Sequence, residues 1–225
     1  MQVFIMEVMR FRCVVMLCCC LMCGIVLMES AREETVVSNN SSRKVVAITF
    51  DDGPHYRNTL ELLEELRKRN VKASFFLVGE RIPGNEDIVL MMYRDGHVIG
   101  NHTYSHQKLT VIPEENVIEE VLETNKIIRS ITGHDVEYIR PPCGSWSDEL
   151  LYVVDMTPVF WDVDPRDWCT RNVNEIVENV VSNVEDGDII LFHDIYESSV
   201  VAALEVIDRL SDRGYVFVTI SEIVP

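Results

Sequence analysis

Short apolar runs recur along the chain and alternate with amphipathic stretches. The run VVAITF at 45–50 is rich in β-branched residues and predicts a buried strand, and the leucine spacing that follows it predicts a helix. Further strand-like runs lie at 73–79, 97–101, 136–140, 157–163, 188–194 and 215–220. Helical periodicity separates them, most clearly at 112–131 and 198–210. Alternating strands and helices predict a mainly parallel sheet with crossover helices, and seven such units favour a barrel over an open sheet.

The N-terminus carries a different pattern. Residues 13–28 contain no charged side chain, and Arg10 and Arg12 precede them. A basic flank before an apolar run is typical of an export signal. As a helix this run would measure roughly 24 Å, slightly short of a hydrocarbon core of ~30 Å. We therefore expect residues 1–30 to be a signal peptide or a membrane anchor, residues 31–44 a polar linker, and residues 45–225 a single exported domain.

The distribution of charge narrows the classes of partner. The chain of 225 residues has a net charge of −17, and residues 45–225 hold 15 Lys and Arg against 33 Asp and Glu. A domain this acidic is repelled by phosphate backbones and by acidic lipid headgroups. We therefore expect no nucleic-acid partner, and contact with a membrane only through the N-terminal segment.

Cysteine usage does not indicate a structural zinc site. Five of the seven cysteines lie in the N-terminal apolar segment, which leaves Cys143 and Cys169 in the domain. No CxxC pair occurs there. Export would permit a disulfide between the two, but we predict two free thiols.

The first strand ends in two adjacent carboxylates, Asp51 and Asp52. Burying both costs desolvation and mutual repulsion unless a cation or an arginine offsets them. A helix cap or an Asx turn before Gly53 would explain one of the two aspartates but not both. Because neighbours on a strand point in different directions, we expect the two to have separate roles.

Two histidines follow the third strand, at positions 102 and 106. Side chains at this spacing can converge on one metal ion from a helical or turn surface. The other histidines considered, at 55, 97 and 134, lack such company and are expected to be structural or exposed.

Charged residues also end the fourth and sixth strands. Arg140 follows an apolar run and should point into the site, where it would need a carboxylate partner. The sixth strand ends in His193 and Asp194, a suitable place for an imidazole whose pKa is tuned by its surroundings. The carboxyl ends of parallel strands lie at one edge, so these groups should share a site.

Five motifs together resemble those of the polysaccharide deacetylase family, which has a NodB-homology domain and is also called carbohydrate esterase family four. TFDDG, HTYSH, RPPCG, DPRDW and LFHD occur in the order of that family, and the resemblance covers about residues 43–223. It implies an α/β fold, a deformed (β/α)7 TIM-like barrel, that forms a single catalytic domain. It also implies metal-dependent removal of N-acetyl groups from amino sugars.

The resemblance assigns a metal site to three residues. Asp52, His102 and His106 would bind a divalent ion, with Zn²⁺ expected and Co²⁺ or Mn²⁺ as alternatives. One carboxylate and two imidazoles leave coordination positions free for water and for the acetyl oxygen.

The resemblance also assigns the acid–base chemistry. Asp51 would be the general base and His193 the general acid. Arg140 would orient Asp51, and Asp167 would hold His193 and keep it cationic. Hydrolysis of an acetamide needs both kinds of group, because water must be activated and a poor amine leaving group protonated.

The substrate residues implied by the resemblance include one departure from the family. Leu191 and Trp168 would line the acetyl pocket, and the backbone N–H of Cys143 would donate to the oxyanion. The family usually has an aromatic residue at the position of Cys143, so an aromatic wall for the sugar ring is lost here. The stretch at 147–156 is also short for the family.

The leading functional hypothesis is a monomeric enzyme, secreted or anchored to the outer face of the cell membrane. It would deacetylate an N-acetylated glycan, with N-acetylglucosamine of peptidoglycan first and chitin oligosaccharides second. Two alternatives are an amidohydrolase acting on small amides and a glycan-binding relative without turnover. The intact acid and base argue against the last, since binding alone does not need them.

Overall fold

The computed structural model describes residues 43–224. The predicted export segment at 1–30, and residues 31–42 of the predicted linker, lie outside the described residues. Across residues 43–224, every helix is too short or too polar to cross a bilayer.

In the part of the chain that the structure describes, seven strands form one parallel sheet, which confirms the predicted fold class. In spatial order β5, β4, β3, β2, β1 and β6 are neighbours, and β7 also pairs with β1. The strands are β1 (Val45–Asp51), β2 (Ser74–Leu77), β3 (Val98–Asn101), β4 (Tyr138–Ile139), β5 (Thr157–Pro158), β6 (Ile189–His193) and β7 (Val216–Val218).

β1 is the centre of the sheet. Thr49 pairs with Ser74 of β2 on one side and with Leu191 of β6 on the other. β7 pairs with residues 45–47 of β1, and β2 pairs with residues 49–51 along the same edge of β1. From Val46 to Asp51 every residue of β1 is buried, as expected for a parallel strand that is covered on both faces.

The predicted strand at 157–163 is irregular, and it brings the two sides of the sheet together. Its start, β5, pairs with β4, whereas Val163 forms a bridge to Ile190 of β6. The N–H of Leu191 donates to the carbonyl oxygen of Val163 at 3.0 Å. Pro158 cannot donate to a sheet ladder, so a regular strand is not expected through this stretch. The result is the deformed barrel that the resemblance implies.

Within residues 43–224, five α-helices accompany the strands: α1 (Asn58–Arg69), α2 (Glu86–Arg94), α3 (Glu114–Thr132), α4 (Val173–Val181) and α5 (Glu197–Asp212). The helices predicted at 112–131 and 198–210 agree with α3 and α5 within two residues at each end. Their apolar faces join the strands in the core, as Leu62, Leu63 and Leu66 of α1 do. The stretch at 147–156 forms only a short 3₁₀ helix, Asp148–Tyr152.

Candidate active site

The two adjacent aspartates at the end of β1 have different surroundings, as predicted. Asp51 is the last residue of the strand, and its Oδ1 accepts a hydrogen bond from Arg140 Nη1 at 2.8 Å. Asp52 has a φ of 73°, in the left-handed region that non-glycine residues rarely adopt. Its Oδ1 lies 3.3 Å from His106 Nε2 and 3.6 Å from His102 Nε2.

The two histidines converge through a loop, without a helix. The loop after β3 has no regular structure from 102 to 106, and both Thr103 and His106 have a positive φ. One potential ligand atom from each of Asp52, His102 and His106 lies within 4.8 Å of the others. A turn of the backbone, and not a helix, therefore brings the two histidines together. The centroids of their rings lie 4.9 Å apart.

A hydrogen bond determines the tautomer of His102, and burial determines its charge. Its Nδ1 lies 2.6 Å from the backbone carbonyl oxygen of Arg140. A carbonyl oxygen only accepts, so Nδ1 carries the proton and Nε2 presents a lone pair. Burial lowers the pKa of His102 to about 3, so the ring is neutral in this environment. A neutral imidazole with its Nδ1–H bonded to a carbonyl is the usual form of a metal-binding histidine.

The surroundings of Asp52 fit a cation. Its Oδ1 is buried and has no hydrogen-bond partner among the described residues, and the bare Nε2 of His102 faces it. Two sets of lone pairs facing each other in a buried place are unfavourable unless a positive charge lies between them. One carboxylate and two imidazoles suit Zn²⁺, and Co²⁺ and Mn²⁺ also accept these donors.

Arg140 is completely buried and makes several contacts around Asp51. Its guanidinium donates to Thr49 Oγ1 at 2.7 Å and to the carbonyl oxygens of Val159 and Phe160. It also lies over the ring of Phe76, 4.1 Å from the centroid. Burial raises the pKa of Asp51 above its ordinary value, and the charge of Arg140 opposes that shift. The pair is thus a buried carboxylate held in one orientation by a fixed cation.

His193, at the end of β6, pairs with Asp167. Its Nδ1 lies 2.8 Å from Asp167 Oδ1, and its backbone N–H donates to Asp167 Oδ2 at 2.8 Å. Burial favours the neutral ring, but the hydrogen bond and charge of Asp167, with the charges of Asp51 and Asp52, raise the pKa of His193 to about 9. The imidazole is therefore cationic at neutral pH, and its Nε2–H is free to donate.

One groove of about 410 Å³ is lined by the two aspartates at the end of β1, the two histidines of the loop after β3, and His193. Leu191 is buried in its wall, and Trp168 and Cys143 are exposed at its edges. Two further wall residues, Trp161 and Asp164, were not assigned a role from the sequence, although both lie in or beside the DPRDW motif. The structure thus brings all ten predicted site residues to one place or into direct contact with it.

The remaining cysteine and histidine predictions are confirmed. Cys143 and Cys169 are both free and exposed. His134 is exposed, whereas His97 is buried and its Nδ1 accepts from the N–H of Ala73. His55 is partly buried, and its Nδ1 accepts from the N–H of Asn58. Asp194, which follows the predicted acid, does not line the groove. It is buried behind Gly53, where an added Cβ would lie 2.6 Å from its Oδ2.

One supporting residue had no signal in the sequence. Arg81, in a 3₁₀ turn after β2, donates from Nη1 to the carbonyl oxygen of Asp52 at 3.0 Å. The backbone N–H groups of Gly79 and Glu80, in the same turn, donate to the carbonyl oxygens of Thr103 and Tyr104. This turn therefore contacts both segments that carry the three potential ligands.

Comparisons with known proteins identify the family to which this chain is similar. The family model described as polysaccharide deacetylase matches residues 38–159. The chain is 40% identical over 181 residues to the peptidoglycan-N-acetylmuramic acid deacetylase PdaC of Bacillus subtilis (strain 168), covering 80% of this chain and 39% of the relative. It is 36% identical over 188 residues to a peptidoglycan-N-acetylglucosamine deacetylase of Bacillus cereus, covering 80% of this chain and 88% of the relative.

A solved structure is also similar. That of peptidoglycan deacetylase PdaC from Bacillus subtilis superimposes with a TM-score of 0.79 at 40% identity, over 81% of this chain and 90% of that one. In sequence, the chain spans about two fifths of the length of the first curated relatives it matches.

Proposed function

Because this chain belongs to the polysaccharide deacetylase family, we propose that it hydrolyses N-acetyl groups of a cell-wall glycan and releases acetate. The observation that carries the proposal is that an arginine-held carboxylate and a cationic imidazole line the same groove as the Asp52–His102–His106 triad. A bound divalent ion, with Zn²⁺ proposed and Co²⁺ or Mn²⁺ as alternatives, supplies Lewis-acid polarisation of the acetyl group.

Asp51 is the proposed general base, and its geometry identifies the oxygen that would act. Oδ1 is occupied by Arg140 Nη1, whereas Oδ2 lies 3.8 Å from His102 Nε2, on the side of the triad. A water molecule beside the triad could therefore give its proton to Oδ2. Arg140 keeps the carboxylate in this orientation, which a flexible or exposed aspartate could not maintain.

His193 is the proposed general acid. Asp167 holds Nδ1, so the proton available to the leaving amine is on Nε2. The raised pKa of the ring supports this role, since an acid must carry its proton at the working pH. Asp167 then stabilises the imidazolium until the amine departs.

The remaining groove residues are proposed to bind the acetyl group and the sugar. Leu191 and Trp168 would enclose the methyl group, and the backbone N–H of Cys143 would donate to the developing oxyanion. Cys143 leaves the groove open where the family usually has an aromatic ring. The sugar would then be held chiefly by Trp161 and Trp168, which line the same groove.

The proposed substrate is peptidoglycan, with N-acetylglucosamine as the reacting sugar. N-acetylmuramic acid is the second candidate, because the relative at 40% identity is described as a deacetylase of that sugar. The apolar segment at 13–28 supports export, and the acidic domain supports contact with a membrane only through the N-terminus. We propose that the protein acts as a monomer outside the cell membrane.

The test is acetate release from a panel of purified peptidoglycan, chitin oligosaccharides and small acetamides, with the Asp51→Asn variant as the blank. Release from peptidoglycan above that blank is expected, and mass spectrometry of the digested glycan then identifies the sugar that lost its acetyl group. Release only from small amides would favour an amidohydrolase. Binding of peptidoglycan without release from any substrate would favour a glycan-binding relative.

A further inference from the structure

Glu120 lies outside the groove but contacts the loop that carries His106. It is on α3 and its side chain is almost fully buried, although most glutamates of this helix are exposed. Its Oε2 accepts from the N–H of Ser105 at 2.8 Å, and its Oε1 accepts from Ser105 Oγ at 2.5 Å. Gln107 Nε2 completes the set at 3.4 Å from Oε1. One carboxylate thus contacts both residues that flank His106.

The two histidines of the triad differ in how they are held. The His102 ring is held by its hydrogen bond to the Arg140 carbonyl oxygen. The backbone N–H of His102 donates to the carbonyl oxygen of Leu77. His106 is more exposed, with 37% of its side chain accessible. Within residues 43–224 its ring makes no hydrogen bond to a neighbour other than its approach to Asp52. The direction of this ring therefore depends on its backbone.

That backbone is in an unfavourable conformation. His106 has a φ of 59°, and a histidine at such a φ persists only where surrounding contacts hold it. The bonds from the 3₁₀ turn after β2 end at Thr103 and Tyr104, so they secure the first part of the loop. From Ser105 onward the contacts with Glu120 take over. Hydrogen bonds to a carboxylate are stronger than those between neutral groups.

We propose that Glu120 is a positioning residue that holds His106 in the orientation needed to bind a divalent metal ion. The inference rests on the proposed metal centre. α3 is packed independently of Glu120, because Val117 and Val121 join an apolar cluster with Leu109 and Ile139. Loss of the carboxylate should therefore loosen the loop without unfolding the helix.

The test measures the affinity of the full chain for Co²⁺, by its absorption spectrum and by competition with a chelator. Glu120→Gln preserves the shape of the side chain but removes its charge and replaces one acceptor oxygen by a donor group, so its two terminal atoms cannot both accept bonds from Ser105. We expect affinity to fall about tenfold or more, within the range seen when groups supporting metal ligands are removed. Glu119→Gln, an exposed neighbour with the same change of charge, should bind Co²⁺ as the wild type does.

A double-mutant cycle separates positioning from general destabilisation. If Glu120 acts through His106, then Glu120→Gln should weaken binding in the wild type but have no further effect in His106→Ala. Any of three results would overturn the inference. Glu120→Gln could bind Co²⁺ as tightly as the wild type, or Glu119→Gln could lose as much Co²⁺ affinity as Glu120→Gln does. The third result is that Glu120→Gln weakens Co²⁺ binding in the His106→Ala background as much as it does in the wild type. A wild type that binds no Co²⁺ would instead refute the metal centre itself.

Ser105→Ala provides a second variant should Glu120→Gln fold poorly. It removes the bond from Ser105 Oγ to Glu120 Oε1 and the bond that Ser105 Oγ accepts from Gln107 Nε2, and it keeps the bond from the Ser105 backbone N–H to Glu120 Oε2. A smaller loss of Co²⁺ affinity is expected, with thermal stability of the metal-free protein unchanged. An affinity equal to that of the wild type would contradict the proposed role of Glu120.

Discussion

Arg140 and His102 are joined by a hydrogen bond of 2.6 Å, in which the imidazole Nδ1 donates to the arginine carbonyl oxygen. The guanidinium of the same Arg140 holds Asp51. One residue therefore fixes the tautomer of a proposed metal ligand with its backbone and the orientation of the proposed base with its side chain. The two functions cannot be altered independently by moving the loop after β4.

Asp51→Asn should separate catalysis from metal binding. The amide cannot accept a proton from water, so we expect kcat/KM to fall by roughly 10²–10⁴, the usual contribution of a general base. Metal content should remain that of the wild type, because Asp51 is assigned no bond to the ion. Loss of metal in this variant would make Asp51 a ligand and contradict the assignment.

Arg140→Met should lower the free energy of unfolding and shift the acidic limb of the kcat/KM profile to higher pH. Removing one partner of a buried ion pair leaves an uncompensated charge and typically costs about 3–5 kcal/mol of unfolding free energy. Without the guanidinium the pKa of Asp51 should rise further, since burial already raises it. Urea unfolding and the pH dependence of kcat/KM measure the two effects. An acidic limb unchanged in Arg140→Met would show that Arg140 does not tune Asp51.

The pKa of His193 sets the alkaline limit of activity. A general acid must be protonated, so the rate should decline as the pH rises through about 9. The same shift means that the pairing with Asp167 stabilises the fold fully below pH 6.5, the ordinary value, and is lost as the pH rises through about 9.

Asp167→Asn tests the origin of that limit. Without the carboxylate, burial should dominate and lower the pKa of His193, so the alkaline limb should move toward neutral pH. The full profile of kcat/KM against pH is the measurement, with Asp212→Asn, at an exposed position outside the groove, as a control that leaves the His193 pair intact. An alkaline limb that stays near pH 9 in Asp167→Asn would remove Asp167 from the mechanism.

Much of the fold could be predicted from the sequence, because its strands are β-branched runs between helical stretches. Predicted strands matched best where both faces are buried, as in β1 and β6. β4, β5 and β7 are shorter than predicted, and in β5 Pro158 has no N–H for a sheet ladder.

The site residues could be predicted because parallel strands bring their carboxyl ends to one edge. The supporting contacts could not. Glu120 resembles the other glutamates of an amphipathic helix, and its burial arises only when the loop after β3 folds over it. Arg81 likewise has no local pattern that indicates its bond to Asp52.

Cys143→Tyr restores the aromatic residue usual in the family and should change substrate binding rather than chemistry. The proposed oxyanion donor is a backbone N–H, which any side chain retains, so kcat should be little changed. KM for a glycan should fall as the new ring packs against the sugar. Cys169→Ser is the control for removing a thiol. An equal effect of the two substitutions on KM would refute the proposal that an aromatic side chain at position 143 packs against the sugar.

The most direct test of the account is acetate release from purified peptidoglycan by the full chain before and after its metal is removed. The exhaustively chelated protein should release no acetate above the Asp51→Asn blank, and about one Zn²⁺ or Co²⁺ per chain should restore release. His106→Ala should need a much higher metal concentration. Full acetate release from the metal-free wild type would contradict the central claim that this groove is a metal-dependent deacetylase site.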